Sequence, residues 1–120
     1  ALRDQNSGNK NRSILKTAVD FIDSHYMEED MSLNKAANAA NVSANHFSAL
    51  FSQNMGQTFI EYLTNLRMNK AKEYLRCTSM RSSEIAGEIG YKDAHYFSYL
   101  FKKTQGMTPS DYRKAREDKA

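Results

Sequence analysis

An internal repeat constrains this chain more than any other feature: NHFSALFSQNMGQTFIEY at residues 45–62 returns as HYFSYLFKKTQGMTPSDY at residues 95–112. The identical pairs are Phe47/Phe97, Ser48/Ser98, Leu50/Leu100, Phe51/Phe101, Gly56/Gly106, Thr58/Thr108 and Tyr62/Tyr112. Within each copy the Phe, Leu and Phe fall at i, i+3 and i+4, which is one face of an α-helix and not the alternation of a strand. One proline and five glycines in 120 residues are also too few for the frequent tight turns of an all-β fold. The expected fold is all-α, with two similar packing units.

Read in order, residues 1–12 are polar and without apolar periodicity, and are expected to form a disordered arm or linker remnant. Ser13 is placed as the N-cap of a first helix ending near His25, with Ile14, Leu15, Ala18, Phe21, Ile22 and Tyr26 at helical spacing. Ser32 caps a second helix with a stripe of small residues, Ala36, Ala37 and Ala40. Asn41 tolerates the left-handed backbone of a sharp turn, and Ser43 caps a third helix that Gly56 ends. That is a helix-turn-helix pattern.

Thr58 opens a long helix reaching Leu75 or Cys77, with Phe59, Ile60, Leu63, Leu66 or Arg67, Ala71, Tyr74 and Leu75 inward. The pattern then recurs. Ser82 or Ser83 caps a helix ending at Gly90, Asp93 caps the next, and Thr108-Pro109-Ser110-Asp111 starts a short last helix. The spacing from Ala86 to Phe97 is one residue longer than from Ala37 to Phe47. The expected organisation is about seven helices: a first helix-turn-helix subdomain over 13–57, a linker helix over 58–77, and a second subdomain over 78–120.

Several function classes are excluded or disfavoured. A single cysteine, Cys77, forms no internal disulfide, and His25, His46 and His95 lack the spacing of a zinc site, so neither metal nor cofactor is expected. No apolar run has the length of a membrane span, and the first residues lack the apolar core of a signal peptide. No nucleophile, acid and base converge, so the chain is not expected to be an enzyme. A net charge of +3 and a pI near 9.0 permit a polyanionic partner without demanding one.

The repeat itself points to the partner. With Phe47, Leu50 and Phe51 inward, Asn45, Ala49 and Ser52 face outward, flanked by Ser48, His46 and Gln53. The second copy puts His95, Tyr99 and Lys102 on the same face, flanked by Ser98, Tyr96 and Lys103. The inward rows agree while the outward rows differ, as two readers of different base sequences require. An α-helix fits the major groove, where Asn and His bond base edges and Ala or Tyr meets a thymine methyl. The expected base readers are Ala44, Asn45, Ser48, Ala49, Ala94, His95, Ser98 and Tyr99. The expected phosphate contacts are Ser43, Ser52, Arg81, Lys92, Lys102 and Lys103. Residues 36–60 contain no Asp, Glu, Lys or Arg, so Lys35, Arg67, Lys70 or Lys72 would supply flanking charge to the first reader. The tail Arg113, Lys114 and Arg116 divides evenly between phosphate contact and favourable charge at a helix C-terminus.

GYKDAHYFSYLFKKTQGMTPSDYR, residues 90–113, resembles the signature of the AraC/XylS family of bacterial transcription regulators, and the resemblance extends over about residues 30–116. It implies sequence-specific binding of double-stranded DNA by two recognition helices in successive major grooves. It also implies a sensor or receiver domain on the N-terminal side, and a cytoplasmic, nucleoid-associated protein. Asn41 stands where the family commonly has Gly, and Ala49 and Tyr99 where many members place a basic residue. The competing expectation is a helical protein-interaction module that contacts RNA polymerase without reading bases.

Overall fold

A computed structural model of the chain describes residues 2–119; residues 1 and 120, the outer ends of the expected arm and second subdomain, lie outside them. The described residues form seven helices and no strand: α1 (Leu2–His25), α2 (Leu33–Ala39), α3 (Ala44–Met55), α4 (Phe59–Cys77), α5 (Ser82–Glu88), α6 (Ala94–Gln105) and α7 (Pro109–Lys119). The all-α reading therefore holds. Among them no helix is long and apolar enough to cross a membrane.

The N-terminus differs from expectation. Instead of a disordered arm over 1–12 followed by a helix from Ser13, α1 runs back to Leu2. A helix already formed over 13–25 propagates backward at low cost, because extension fixes one residue per added bond and needs no new nucleus. Gly8 opposes it by only about 1 kcal/mol.

Contacts divide the chain into two units, one of residues 1–26 and 31–64, the other of residues 27–30 and 65–120. The long helix is thus shared: α4 contributes its residues through Thr64 to the first unit and the remainder to the second. In the first unit Ala18, Ile22, Met31, Ala36, Ala37, Phe47, Leu50, Phe51, Phe59 and Leu63 are buried. Phe47 and Phe51 lie 5.5 Å apart and both meet Phe59 edge-on, at 6.2 and 6.5 Å. Thr58 and Glu61 form a reciprocal cap, Thr58 Oγ1 accepting from Glu61 N and Glu61 Oε1 from Thr58 N, both at 3.1 Å. Ile60, expected inward, is 62% exposed. Phe59 takes the inward position, and Ile60 is turned from it by one 100° step.

In the second unit Met68, Ala71, Leu75, Ile85, Ala86, Ile89, Phe97 and Phe101 form one buried cluster. Phe97 and Phe101 repeat the first unit's pair at 5.9 Å. The repeated tyrosines repeat too: Tyr62 meets Phe51 edge-on at 5.5 Å, and Tyr112 meets Phe101 edge-on at 5.9 Å. Their hydroxyls do not. Tyr62 donates to Asp23 Oδ1 at 2.7 Å, and burial together with that carboxylate pushes its pKa up to about 12. Tyr112 accepts from Arg76 Nη1 at 3.0 Å. Burial pushes the Tyr112 hydroxyl up, but the hydrogen bonds and charges of Arg76 and Arg116 outweigh it and leave the pKa below the ordinary value.

Two basic residues that sequence left ambiguous are held inside the second unit. Arg113 donates from Nε to Leu75 O and from Nη2 to Thr78 O, both at 3.1 Å, and so satisfies carbonyls at the C-terminal end of α4. Arg67 is only 6% exposed. Its Nη2 donates to Glu28 O at 2.8 Å and its guanidinium lies 4.9 Å from the Tyr91 ring centroid, so it is not available as a flanking phosphate contact.

Candidate nucleic-acid interface

Each of α3 and α6 is set by the turn before it, and the two turns are built alike. In the first, Val42 N donates to Ala37 O at 3.1 Å and Asn41 N to Asn38 O at 3.0 Å; in the second, Tyr91 N donates to Ala86 O at 2.8 Å and Gly90 N to Gly87 O at 3.3 Å. Both are Schellman closures, which need a left-handed residue just past the helix. Asn41 (φ 58°) and Gly90 (φ 105°) supply it. Asn41 is exposed and tolerates the conformation, whereas a Cβ on Gly90 would stand 2.8 Å from Arg67 Nη2 and 3.0 Å from Met27 O. The glycine position of the second turn is fixed by packing as well as by φ.

The next residues start the helices. Ser43 Oγ accepts from His46 N at 3.1 Å, and Asp93 Oδ1 accepts from His95 N at 2.8 Å and Tyr96 N at 3.4 Å. Both expected caps hold. The capping of α5 differs: its N-cap is Arg81 rather than Ser82 or Ser83, and Glu84 Oε1 accepts from Arg81 N at 3.0 Å. The carboxylate three residues on supplies the Glu half of a capping box, taking the N–H of the N-cap residue itself.

On α3 the expected readers Asn45 and Ala49 are exposed, with Ser52 one turn further; Ala44 and Ser48 are half-buried at the edge of that face. On α6, His95, Tyr99 and Lys102 occupy the equivalent exposed positions, with Ala94 and Ser98 half-buried. Ala94 packs against the buried cluster, so part of its surface serves the core. Tyr99 is 60% exposed and Tyr96 51%, and Tyr96 leans on Tyr91 at 5.9 Å. Each helix therefore gathers its own expected readers on one outward face.

Charge is distributed unequally. No charged side chain lies between Ala36 and Ile60, whereas α6 carries Lys102 and Lys103 in its last turn, Lys103 Nζ lying 5.9 Å over the Tyr99 ring. Ser43 and Arg81 are exposed. The Ser43 oxygen accepts the cap bond, and its O–H can donate to a phosphate. Lys92 is the extra residue of the second turn, and its Nζ lies 3.0 Å from Glu29 Oε1. Sequence reasoning did not find that carboxylate, nor the turn-supporting place of Arg67. The one signal was the longer spacing from Ala86 to Phe97.

Among the described residues no group of His, Cys, Asp or Glu could hold a metal ion, and Cys77 is an exposed free thiol at the end of α4.

The family model described as a helix-turn-helix domain matches residues 36–115. The chain is 36% identical over 99 residues to the lactose operon transcription activator of Staphylococcus xylosus, covering 82% of this chain and 35% of that protein. The C-terminal domain of AraT, a response regulator from Geobacillus stearothermophilus, superposes with a TM-score of 0.83 at 40% identity, covering 86% of this chain and 85% of that one. The AraC-type regulator structure from Chromobacterium violaceum superposes with a TM-score of 0.78 at 28% identity, covering 88% and 93%. Among the curated relatives that it matches, the chain spans from 12% to 38% of their length.

Proposed function

The chain belongs to the AraC-type helix-turn-helix family, and from that premise we propose that it binds double-stranded DNA sequence-specifically as the output domain of a bacterial transcription regulator. In this reading α3 and α6 are the recognition helices and enter successive major grooves of one duplex. The observation that carries it is the contrast within the repeat: the buried Phe47, Phe51, Phe97 and Phe101 are the same, while the exposed Asn45, Ala49 and Ser52 of the first copy are replaced by His95, Tyr99 and Lys102 in the second. Packing alone would not require the outward rows to diverge.

Roles follow from chemistry. Asn45 and His95 bond base edges, Ala49 and Tyr99 offer apolar surface, and Ser48 and Ser98 bond at the rim with Ala44 and Ala94 allowing close approach. Ser43, Ser52, Arg81, Lys92, Lys102 and Lys103 hold phosphates, so the second unit supplies most of the salt-dependent affinity. The two units act as two helix-turn-helix subdomains on the shared α4.

The proposal extends to partners. A receiver or sensor domain on the N-terminal side is supported by the short span of this chain in its relatives and by the response-regulator identity of a similar domain. RNA polymerase is the proposed protein partner. Catalysis has no place in this reading, and the site of action is the nucleoid in the cytoplasm.

Selection of binders from a random duplex pool tests the function. The expected result is enrichment of one asymmetric site about two helical turns long. Titrations that are flat across all sequences would leave only the protein-interaction reading.

A further inference from the structure

Neither recognition face carries an arginine. Among the described residues, α3 and α6 contain none at all, and three arginines of the second unit are committed elsewhere: Arg67 to Glu28 O, Arg76 to the Tyr112 hydroxyl, and Arg113 to Leu75 O and Thr78 O. The bidentate Arg–guanine contact, the commonest specific contact in the major groove, is therefore missing from both faces. Lysine can replace it, but Lys102 and Lys103 stand in the last turn of α6, whereas base edges are met by the N-terminal part of a recognition helix.

The groups that remain favour the other base pair. The Asn45 side chain, exposed in the first turn of α3, has the acceptor and donor that match adenine N6 and N7. One turn on, the Ala49 methyl is exposed, and on α6 the same position presents the Tyr99 ring, 60% exposed. Apolar surface in the major groove finds one apolar group there, the C5-methyl of thymine. Ser48 and Ser98 accept either pair, and a ring N–H of His95 meets N7 of adenine or guanine alike.

Building on the DNA-binding reading above, we infer that the duplex segments beneath α3 and α6 are read mainly as A·T pairs, Asn45 taking adenine and Ala49 and Tyr99 taking thymine methyl groups. The identity of the operator is thus carried by methyl contacts and one amide rather than by guanine clamps. Arginine-free faces make this a prediction about bases, not only about affinity.

The test uses the intact chain. Duplexes selected from a random pool are sequenced, and thymines in the enriched segments are replaced one at a time by deoxyuridine, which lacks only the methyl. Loss of a contacted methyl should weaken binding about fourfold, and Tyr99→Ser, which removes the apolar surface, should abolish that effect beneath α6 while leaving it beneath α3. Enrichment of G·C pairs in both segments, indifference to deoxyuridine, or a methyl effect that survives Tyr99→Ser would overturn the base assignment and leave DNA binding standing. A pool with no enriched sequence would overturn the DNA reading and this inference together.

Discussion

Arg67 occupies the space that a side chain on residue 90 would need: a Cβ there would lie 2.8 Å from Arg67 Nη2. The turn before α6 is thereby pressed onto a buried guanidinium that also holds the Met27–Asp30 turn through Glu28 O and stacks on Tyr91. A buried cation is costly unless its donors are used, so this one is tied to its geometry. Gly90→Ala should destabilise by more than the ~1–2 kcal/mol of the left-handed backbone alone, while Asn41→Gly should stay within about 0.5 kcal/mol of the parent. Urea denaturation of both variants reads the difference.

Arg67→Met removes the donor to Glu28 O and the charge over Tyr91 while keeping much of the volume. A loss of about 1–3 kcal/mol is expected from the carbonyl left unpaired. Because Arg67 is not a phosphate contact, the salt slope of DNA binding at a temperature where the variant is folded should be unchanged. A reduced slope would return Arg67 to the DNA-contacting set.

The paired tyrosines should titrate apart. Tyr62 has a folded pKa raised to about 12 by burial and by Asp23, above its unfolded value, so the native state holds the proton longer. Its contribution is whole below the unfolded pKa and is lost as pH rises through the folded one; after discounting for solvent screening it is about 1 kcal/mol. Tyr112, lowered by Arg76 and Arg116 against the effect of burial, acts in the opposite sense and gains stability as it ionises. Tyrosinate absorbance of the Tyr62→Phe and Tyr112→Phe variants should show the late titration missing from the first and the early one missing from the second.

Much of this was legible in the residues themselves. Ser32, Ser43 and Asp93 carry their caps because a short polar side chain before an apolar period has one local use, and Gly56 and Gly106 end α3 and α6 where the repeat puts them. What stayed hidden depends on partners far along the chain. Arg67 is held by the carbonyl of Glu28, thirty-nine positions away, and Lys92 is engaged by Glu29; no local period announces either. Ile60 and Phe59 are adjacent apolar residues, and periodicity could not choose between them. The helical course of residues 2–12 was missed because propagation from a formed helix tolerates a polar stretch that would not start one.

Lys92 and Lys102 should differ as phosphate contacts. Lys102→Ala should weaken all sequences and lower the salt slope by about 0.9. Lys92→Ala should do less, because its ammonium is already 3.0 Å from Glu29, and Glu29→Gln should strengthen binding by releasing it. Salt titrations on one duplex compare all three, and an unchanged affinity for Glu29→Gln would mean that Lys92 does not meet phosphate.

The central claim is that two outward faces on a common fold read two different segments of DNA. It is tested most directly by measuring Asn45→Ala and His95→Ala against a selected duplex and its single-base-pair variants. Each substitution should cost about 1–3 kcal/mol and erase discrimination at a few base pairs, Asn45→Ala in one segment and His95→Ala in the other. Equal losses on every duplex, or losses of discrimination in the same segment, would contradict it.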